Sequence, residues 1–318
     1  MTSLREHFER YVLPNHLGDA DPSTIAEHRT SIRYWEIATN SAPLEEYRTA
    51  YPAFQEWLKT TPSKRGTPFS AATKRKHIAT IQFMLDLAGP ETRDRGGAGI
   101  IERPIKLPVP KGGSSLNKRP LTLLELSRML LACQYAEWER KRLKVTACTF
   151  WRCFILFTFN TGLRIETLMK LRWEWLIKDD TGHHWFEIPE SAMKCSAFRC
   201  YVSPAAAAAI EPMRVLGSPF VFPFPFTYNR ARSKFVELMQ WANIPQRGMT
   251  ANKFHALRRS CNDELVKINP YAAKLQLGHS TRDVTLQHYT SSAVLIKAHT
   301  ELQQPPWTAD VLTPPAAA

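Results

Sequence analysis

The chain has little that would tie it to a secreted, metal-stapled or membrane-spanning protein. Its six cysteines, at 133, 148, 153, 195, 200 and 261, form no CxxC pair and no spacing that reads as a zinc site or a secreted disulfide framework. They read as reduced thiols, mostly buried as small hydrophobes. Apolar runs such as Cys153 to Phe157 fall far short of the roughly 18 residues that a membrane-crossing helix needs. The N-terminus MTSLREHFERYV lacks the apolar core of a signal peptide. An intracellular, cytoplasmic protein without membrane contact is expected. No internal repeat or heptad array is evident. Acidic charge is scarce as well: 29 Asp+Glu stand against 42 Lys+Arg, a formal net charge of +13. That balance favours a polyanionic partner, nucleic acid, with an anionic membrane surface as the competitor.

At 318 residues the chain exceeds the size at which one core keeps growing, so two domains are expected. The first, 1–103, reads as helices joined by short polar loops. One helix should begin at Asp21-Pro22, an N-cap followed by proline at the first helical position, and run through Ile25, Ile32 and Trp35. Another should begin at Ser70, carry Ile78, Ile81, Phe83 and Leu85, and stop at Gly89-Pro90. Its opening turns hold Lys74, Arg75 and Lys76 beside His77. They form either an ordinary solvated face or a helix laid along DNA phosphates. Residues 104–118, rich in Pro and Lys, read as an extended linker.

The second domain, 119–318, opens with capping-box spacing between Thr122 and Glu125. A helix over about 145–159 should be followed by a change of direction at Thr161-Gly162. The chain should then continue as a helix with Leu168, Leu171 and Trp175 inward. HHWFEIP and CYVS flank a polar turn, the pattern of a β-hairpin, and GSPFVFPFPF reads as a loop. Helices are expected at about 228–242, 252–267, 270–277 and 281–289, with caps at Asn269-Pro270 and Ser280. The fold class is mainly α with a small β-hairpin or sheet.

Several residues in this half have a bland reading and a sharper one. Arg164 follows a Thr-Gly-Leu turn and could hold a rigid, permanently charged fork for a phosphate, or simply pair with Glu166. His255 and Arg258, three apart on a helix, share one face, opposite Leu257, Cys261 and Leu265. Lys194 sits in the hairpin turn, where an exposed lysine is commonplace. His279 follows Gly278 at a helix end. Tyr289 closes the next short helix, a place usually given to packing.

Together these positions resemble the ordered active-site motifs of the tyrosine recombinases, the phage-integrase family: Arg164, Lys194, HALR at 255–258, LGHS at 277–280 and HYT at 288–290. The likeness covers about residues 119–300, and SAATKRKHIATIQFMLDLA in the first half resembles the family's core-binding domain. The resemblance implies a helical core-binding domain and a catalytic domain that clamp double-stranded DNA from opposite sides. It implies Tyr289 as nucleophile, Arg164 and Arg258 as phosphate clamp, and Lys194 as acid for the leaving 5′-oxygen. His255 and His279 become proton-transfer and hydrogen-bonding groups. It further implies strand exchange in a homotetramer on DNA, and either cis packing of the tail after Tyr289 or its docking on a neighbouring protomer. With the core-binding helices starting almost at residue 1, no additional arm-binding domain is expected.

Elementary chemistry agrees with these roles. A phenol with a pKa near about 10 is a weak nucleophile at neutral pH and needs a base and a positive field. A preorganised donor to the developing oxyanion charge can contribute about 2.7 to 4 kcal/mol. A phosphotyrosyl ester conserves the bond energy, so neither a cofactor nor a metal is expected. The clustered carboxylates of two-metal nucleases do not accompany these motifs. One departure concerns the acidic residue that the family commonly carries three positions after the first arginine. Here that position is Thr167, and the nearest acid is Glu166. The lysine has rivals in Lys178 and Arg199, whereas Tyr271, which precedes His279, is the poorer nucleophile. The competing functions are a type IB topoisomerase, a non-catalytic DNA-binding regulator, and, weakest, a metallohydrolase built on His183, His184, His255 and His279.

Overall fold

The computed structural model describes residues 1–63, 66–91, 97–110, 118–138, 143–193, 196–249, 252–278 and 292–306. Lys194, His279, Tyr289 and the helix expected at 281–289 with its Ser280 cap lie outside the described residues. The chain divides into two compact units, Met1–Leu116 and Asn117–Ala318.

The first unit is helical: α1 (Leu4–His7), a π turn (Phe8–Val12), α2 (Leu13–His16), α3 (Pro22–Thr39), α4 (Tyr47–Thr60) and α5 (Ala71–Ala88). Local chemistry sets the helix ends. The Asp21 carboxylate accepts from the Ser23 backbone N–H at 2.7 Å, and α3 stops where Asn40 turns left-handed at φ 53°. The Ser70 hydroxyl accepts from the Thr73 N–H at 3.1 Å to start α5. Phe8, Trp35, Phe54, Ile81, Met84 and Leu85 meet in the core. In α5 the Lys76 ammonium lies 2.6 Å from Glu27, so this member of the basic trio has an intramolecular partner.

The linker expected from residue 104 departs from the structure at its beginning. Ile105 donates its N–H to the Tyr47 phenol at 3.0 Å, Leu107 donates to Gln82 Oε1 at 2.7 Å, and the Tyr51 hydroxyl donates to the Pro108 carbonyl. Leu107 is buried. One apolar residue in a proline-rich stretch, with side-chain acceptors for its backbone, is enough to lay this segment onto the helices.

The second unit contains α6 (Leu123–Ala132), α7 (Ala147–Thr161), α8 (Ile165–Leu168), β1 (Leu176–Lys178), β2 (His184–Ile188), β3 (Phe198–Val202), α9 (Pro204–Ile210), α10 (Tyr228–Trp241), α11 (Phe254–Ile268), α12 (Pro270–Leu277) and α13 (Ser292–Glu301). Thr122 and Glu125 form the reciprocal capping box of α6. The central element is α7, buried almost all round, as a helix with apolar residues on every face must be. The strands form an antiparallel sheet in the order β1-β2-β3, with Phe186 opposite Cys200 and Trp185 opposite Tyr201. The fold is thus mainly helical with one small sheet, as expected.

Three local expectations change. Strand β1 joins the hairpin, making a three-stranded sheet. The helix expected through Trp175 is one turn long, because the backbone beyond it pairs with the Pro-rich loop. Val221 donates to the Leu171 carbonyl at 2.8 Å and Trp173 to the Pro219 carbonyl at 3.0 Å. That loop is itself core: Phe222 is fully buried, and Phe224 packs edge-on to Phe150 with ring centroids 5.1 Å apart. The segment 292–306 packs on its own unit. Leu295, Ala298 and Leu302 are buried, and Gln304 and Asn160 exchange amide hydrogen bonds at 2.9 and 3.0 Å.

Candidate active site

Helix α7 ends at Gly162 in the left-handed conformation, φ 63°, donating its N–H to the Thr158 carbonyl at 2.8 Å. A Cβ there would stand 2.2 Å from Leu277 Cδ2 and 3.2 Å from Cys261 Sγ, so glycine is required both by its φ and by the space. Two residues on, Arg164 is the N-cap of α8, with extended backbone at φ −71°, ψ 148°. The sequence pattern placed it in the first helical turn. The structure puts it just outside, where its side chain is half-buried.

Arg258 is clamped from two sides. Its Nη1 donates to the Gly162 carbonyl at 2.5 Å and its Nη2 to the Leu277 carbonyl at 2.7 Å. Both acceptors lie at the C-terminal ends of helices, α7 and α12, where the macrodipole is negative and carbonyls lack helical partners. Only 8% of Arg258 is exposed. Burial, then the neighbouring Arg164 cation, pushes its pKa down to about 10, which still leaves it charged at neutral pH. The flanking thiols of Cys200 and Cys261 are pushed upward by burial, Cys261 to about 12, and remain protonated and inert.

One turn before Arg258, His255 is half-buried. Its pKa is lowered, first by burial and then by the cations of Arg258, Arg164 and Arg259, while Glu166 opposes them. The imidazole is therefore neutral at pH 7 and able to take up a proton. Arg164, His255 and Arg258, drawn from two stretches of sequence, thus lie within one another's electrostatic reach.

Thr167, at the position where an acid was expected from the resemblance, is buried, with Oγ1 3.5 Å from the Ala192 carbonyl at the start of the β2–β3 turn. Glu166 is exposed, and its charge, after burial, helps to raise the pKa of the Tyr228 phenol. Asn252 Nδ2 donates to the same phenol oxygen at 2.7 Å. Neither Tyr228 nor Asn252 carries a local sequence signal for the site, since only the tertiary fold brings them there. Among the described residues no group of three His, Cys, Asp or Glu side chains has the arrangement of a metal site, and no helix is long and apolar enough to cross a membrane.

Comparison of the sequence with known protein families and with curated proteins finds no match. Solved structures do match by shape. A lambda integrase (residues 75–356) dimer bound to a COC′ core site superposes with a TM-score of 0.64 at 16% identity, covering 91% of this chain and 96% of that one. A lambda integrase tetramer bound to a Holliday junction gives 0.61 at 16% identity, covering 91% and 78%. XerH site-specific recombinase bound to its difH substrate, in a pre-cleavage complex, gives 0.58 at 12% identity, covering 93% and 84%. The chain therefore has the fold of the tyrosine recombinases and phage integrases. At these identities the likeness speaks for architecture, and residue roles rest on the chemistry of this chain.

Proposed function

We propose that this protein is a site-specific DNA recombinase or integrase that cuts and rejoins double-stranded DNA through a 3′-phosphotyrosyl intermediate. The observation that carries the reading is the shared electrostatic neighbourhood of Arg164, His255 and Arg258 in a chain of this fold. Arg164 and Arg258 hold the non-bridging oxygens of the scissile phosphate. Arg258 is preorganised, because two carbonyls fix its guanidinium before any substrate arrives. Neutral His255 accepts or relays a proton. The Tyr289 phenol oxygen attacks phosphorus and loses its proton to a nearby base. The bond from phosphorus to the 5′-oxygen breaks, and Lys194 protonates that leaving oxygen. His279 donates a hydrogen bond to the same phosphate. A 5′-hydroxyl from another strand then reverses the chemistry, with no net change in bond type and no cofactor.

Lys74, Arg75 and Lys76 of the first unit contribute phosphate contacts, and the working assembly is a homotetramer on DNA. The protein acts in the cytoplasm. A nicked suicide substrate carrying the target site, resolved on a denaturing gel, tests the reading. Wild-type protein is expected to give a covalent adduct that survives EDTA, and Tyr289→Phe none. An adduct of undiminished yield in Tyr289→Phe would remove that tyrosine as nucleophile. Efficient relaxation of supercoiled DNA lacking any target site would favour the topoisomerase reading instead.

A further inference from the structure

Arg258 grips two helix ends at once: the Gly162 carbonyl that follows α7 and the Leu277 carbonyl that closes α12. A guanidinium fork presents its N–H groups at fixed angles, so its orientation depends on the separation of those two carbonyls. Something must therefore hold the ends of α7 and α12 in register. Gln276, the residue just before Leu277, is fully buried, and its side chain crosses the same seam. In the last turn of α7 its Nε2 donates to the carbonyls of Asn160 at 3.4 Å and Thr161 at 3.3 Å. It also donates to the Tyr201 carbonyl of β3 at 3.1 Å, with Cys200 Sγ at 3.5 Å. Carbonyls in a last helical turn have no helical N–H to accept, so a donor from another element satisfies them.

Filling of space does not explain a glutamine here. Its Oε1 is buried with no hydrogen-bond partner among the described residues. Methionine or leucine, of similar volume, would not carry that defect. The amide nitrogen is the part in use. Contact along the seam is also tight, since a Cβ on Gly162 would stand 2.2 Å from Leu277 Cδ2. A shift of either helix end is thus felt in the pair of carbonyls that orient Arg258.

We propose that Gln276 is a positioning residue for Arg258: its amide ties the end of α12 to the end of α7 and to β3, and so sets the span of the two carbonyls that orient the guanidinium. This deepens, and rests on, the recombinase reading, in which that guanidinium meets the scissile phosphate. Gln276 is sealed from solvent, so it acts only through Arg258. The amide pair of Asn160 and Gln304 lies on the same turn of α7 but leads to the segment after α13 instead of across to α12, which makes it an internal control.

The test follows the Arg258 guanidinium directly, by the NMR signals of its Nη–H groups in the full-length protein. In wild type these signals are expected to be resolved and protected from exchange with water. In Gln276→Met they are expected to exchange at least about tenfold faster, whereas Gln304→Ala leaves them as in wild type. Unchanged protection in a folded Gln276→Met, or an equal loss in Gln304→Ala, overturns the proposal. Wild type alone gives a second measurement should Gln276→Met not fold. In rising, subdenaturing urea the Gln276 side-chain amide and the Arg258 guanidinium are expected to lose protection in step, because one opening of the seam exposes both. Loss at different urea concentrations overturns the proposal as well. On the suicide substrate at saturating DNA, Gln276→Met is expected to form adduct about tenfold more slowly, with DNA affinity within about twofold of wild type. A loss confined to affinity contradicts the positioning role. If wild type itself forms no adduct while the Arg258 signals respond as stated, the positioning role stands and the recombinase reading fails.

Discussion

Two arginines that share a proposed task are held by different means, and their substitutions should differ accordingly. The Arg258 guanidinium satisfies two backbone carbonyls in a buried setting, at Gly162 and Leu277. Replacing it by alanine strips both carbonyls of a charged donor, and each unsatisfied buried acceptor costs about 1–3 kcal/mol. Arg164 is half-buried at a turn, with no such duty among the described contacts. Arg258→Ala should therefore lose several kcal/mol of stability, roughly the sum of two such penalties, along with most cleavage. Arg164→Ala should lose cleavage while unfolding within about 0.5 kcal/mol of wild type, as for a surface change. Denaturant unfolding beside the adduct assay separates the two, and equal destabilisation would contradict the clamp geometry. Arg258→Lys should not rescue, because an ammonium cannot present two fixed N–H bonds to carbonyls set apart by the helix ends.

At the scale of elements, much was legible wherever a local signal fixed a helix end. Asp21-Pro22, Ser70, Thr122 with Glu125 and Asn269-Pro270 all cap as read, because side-chain to backbone hydrogen bonds span only two or three residues. What was not legible depends on partners distant in sequence. The truncated helix after Leu168 is decided by Pro219 and Val221, about fifty positions away, and the apolar stretch of the Pro-rich loop joins the core through Phe150. The same division holds for the candidate site. Arg164, His255 and Arg258 could be picked out by order, whereas Tyr228 and Asn252 meet only in the folded chain.

The C-terminal helix α13 carries a second element-scale consequence. His299 is buried against the Tyr201 ring, centroids 5.2 Å apart, and neither ring nitrogen has a hydrogen-bond partner among the described residues. Burial lowers its pKa from 6.5 to about 4. The unfolded chain therefore binds this proton more readily than the folded one. The stability associated with a neutral ring is present in full above pH 6.5 and is lost as pH falls toward 4. At about 1.4 kcal/mol per pH unit the loss is roughly 3 kcal/mol. His299→Leu should flatten the decline in Tm between pH 7 and pH 4.5 attributable to this helix. A variant whose Tm falls as steeply as wild type would show that His299 is not the acid-sensitive group.

For the whole molecule, the excess of 42 Lys+Arg over 29 Asp+Glu, the helical first unit and the recombinase-like fold are what the proposed DNA-handling role rests on. In the proposed role the charge would set the strength and salt dependence of DNA binding, while specificity for a target site would lie in groove contacts and DNA deformation. The proposed chemistry depends on one covalent bond. Adduct trapped on a suicide substrate, digested with trypsin and nuclease and sequenced by mass spectrometry, identifies the residue that carries the DNA. The account predicts a nucleotide on Tyr289 alone, with none on Tyr271 or Tyr228. A nucleotide on any other side chain, or cleaved DNA with no protein attached, would contradict it.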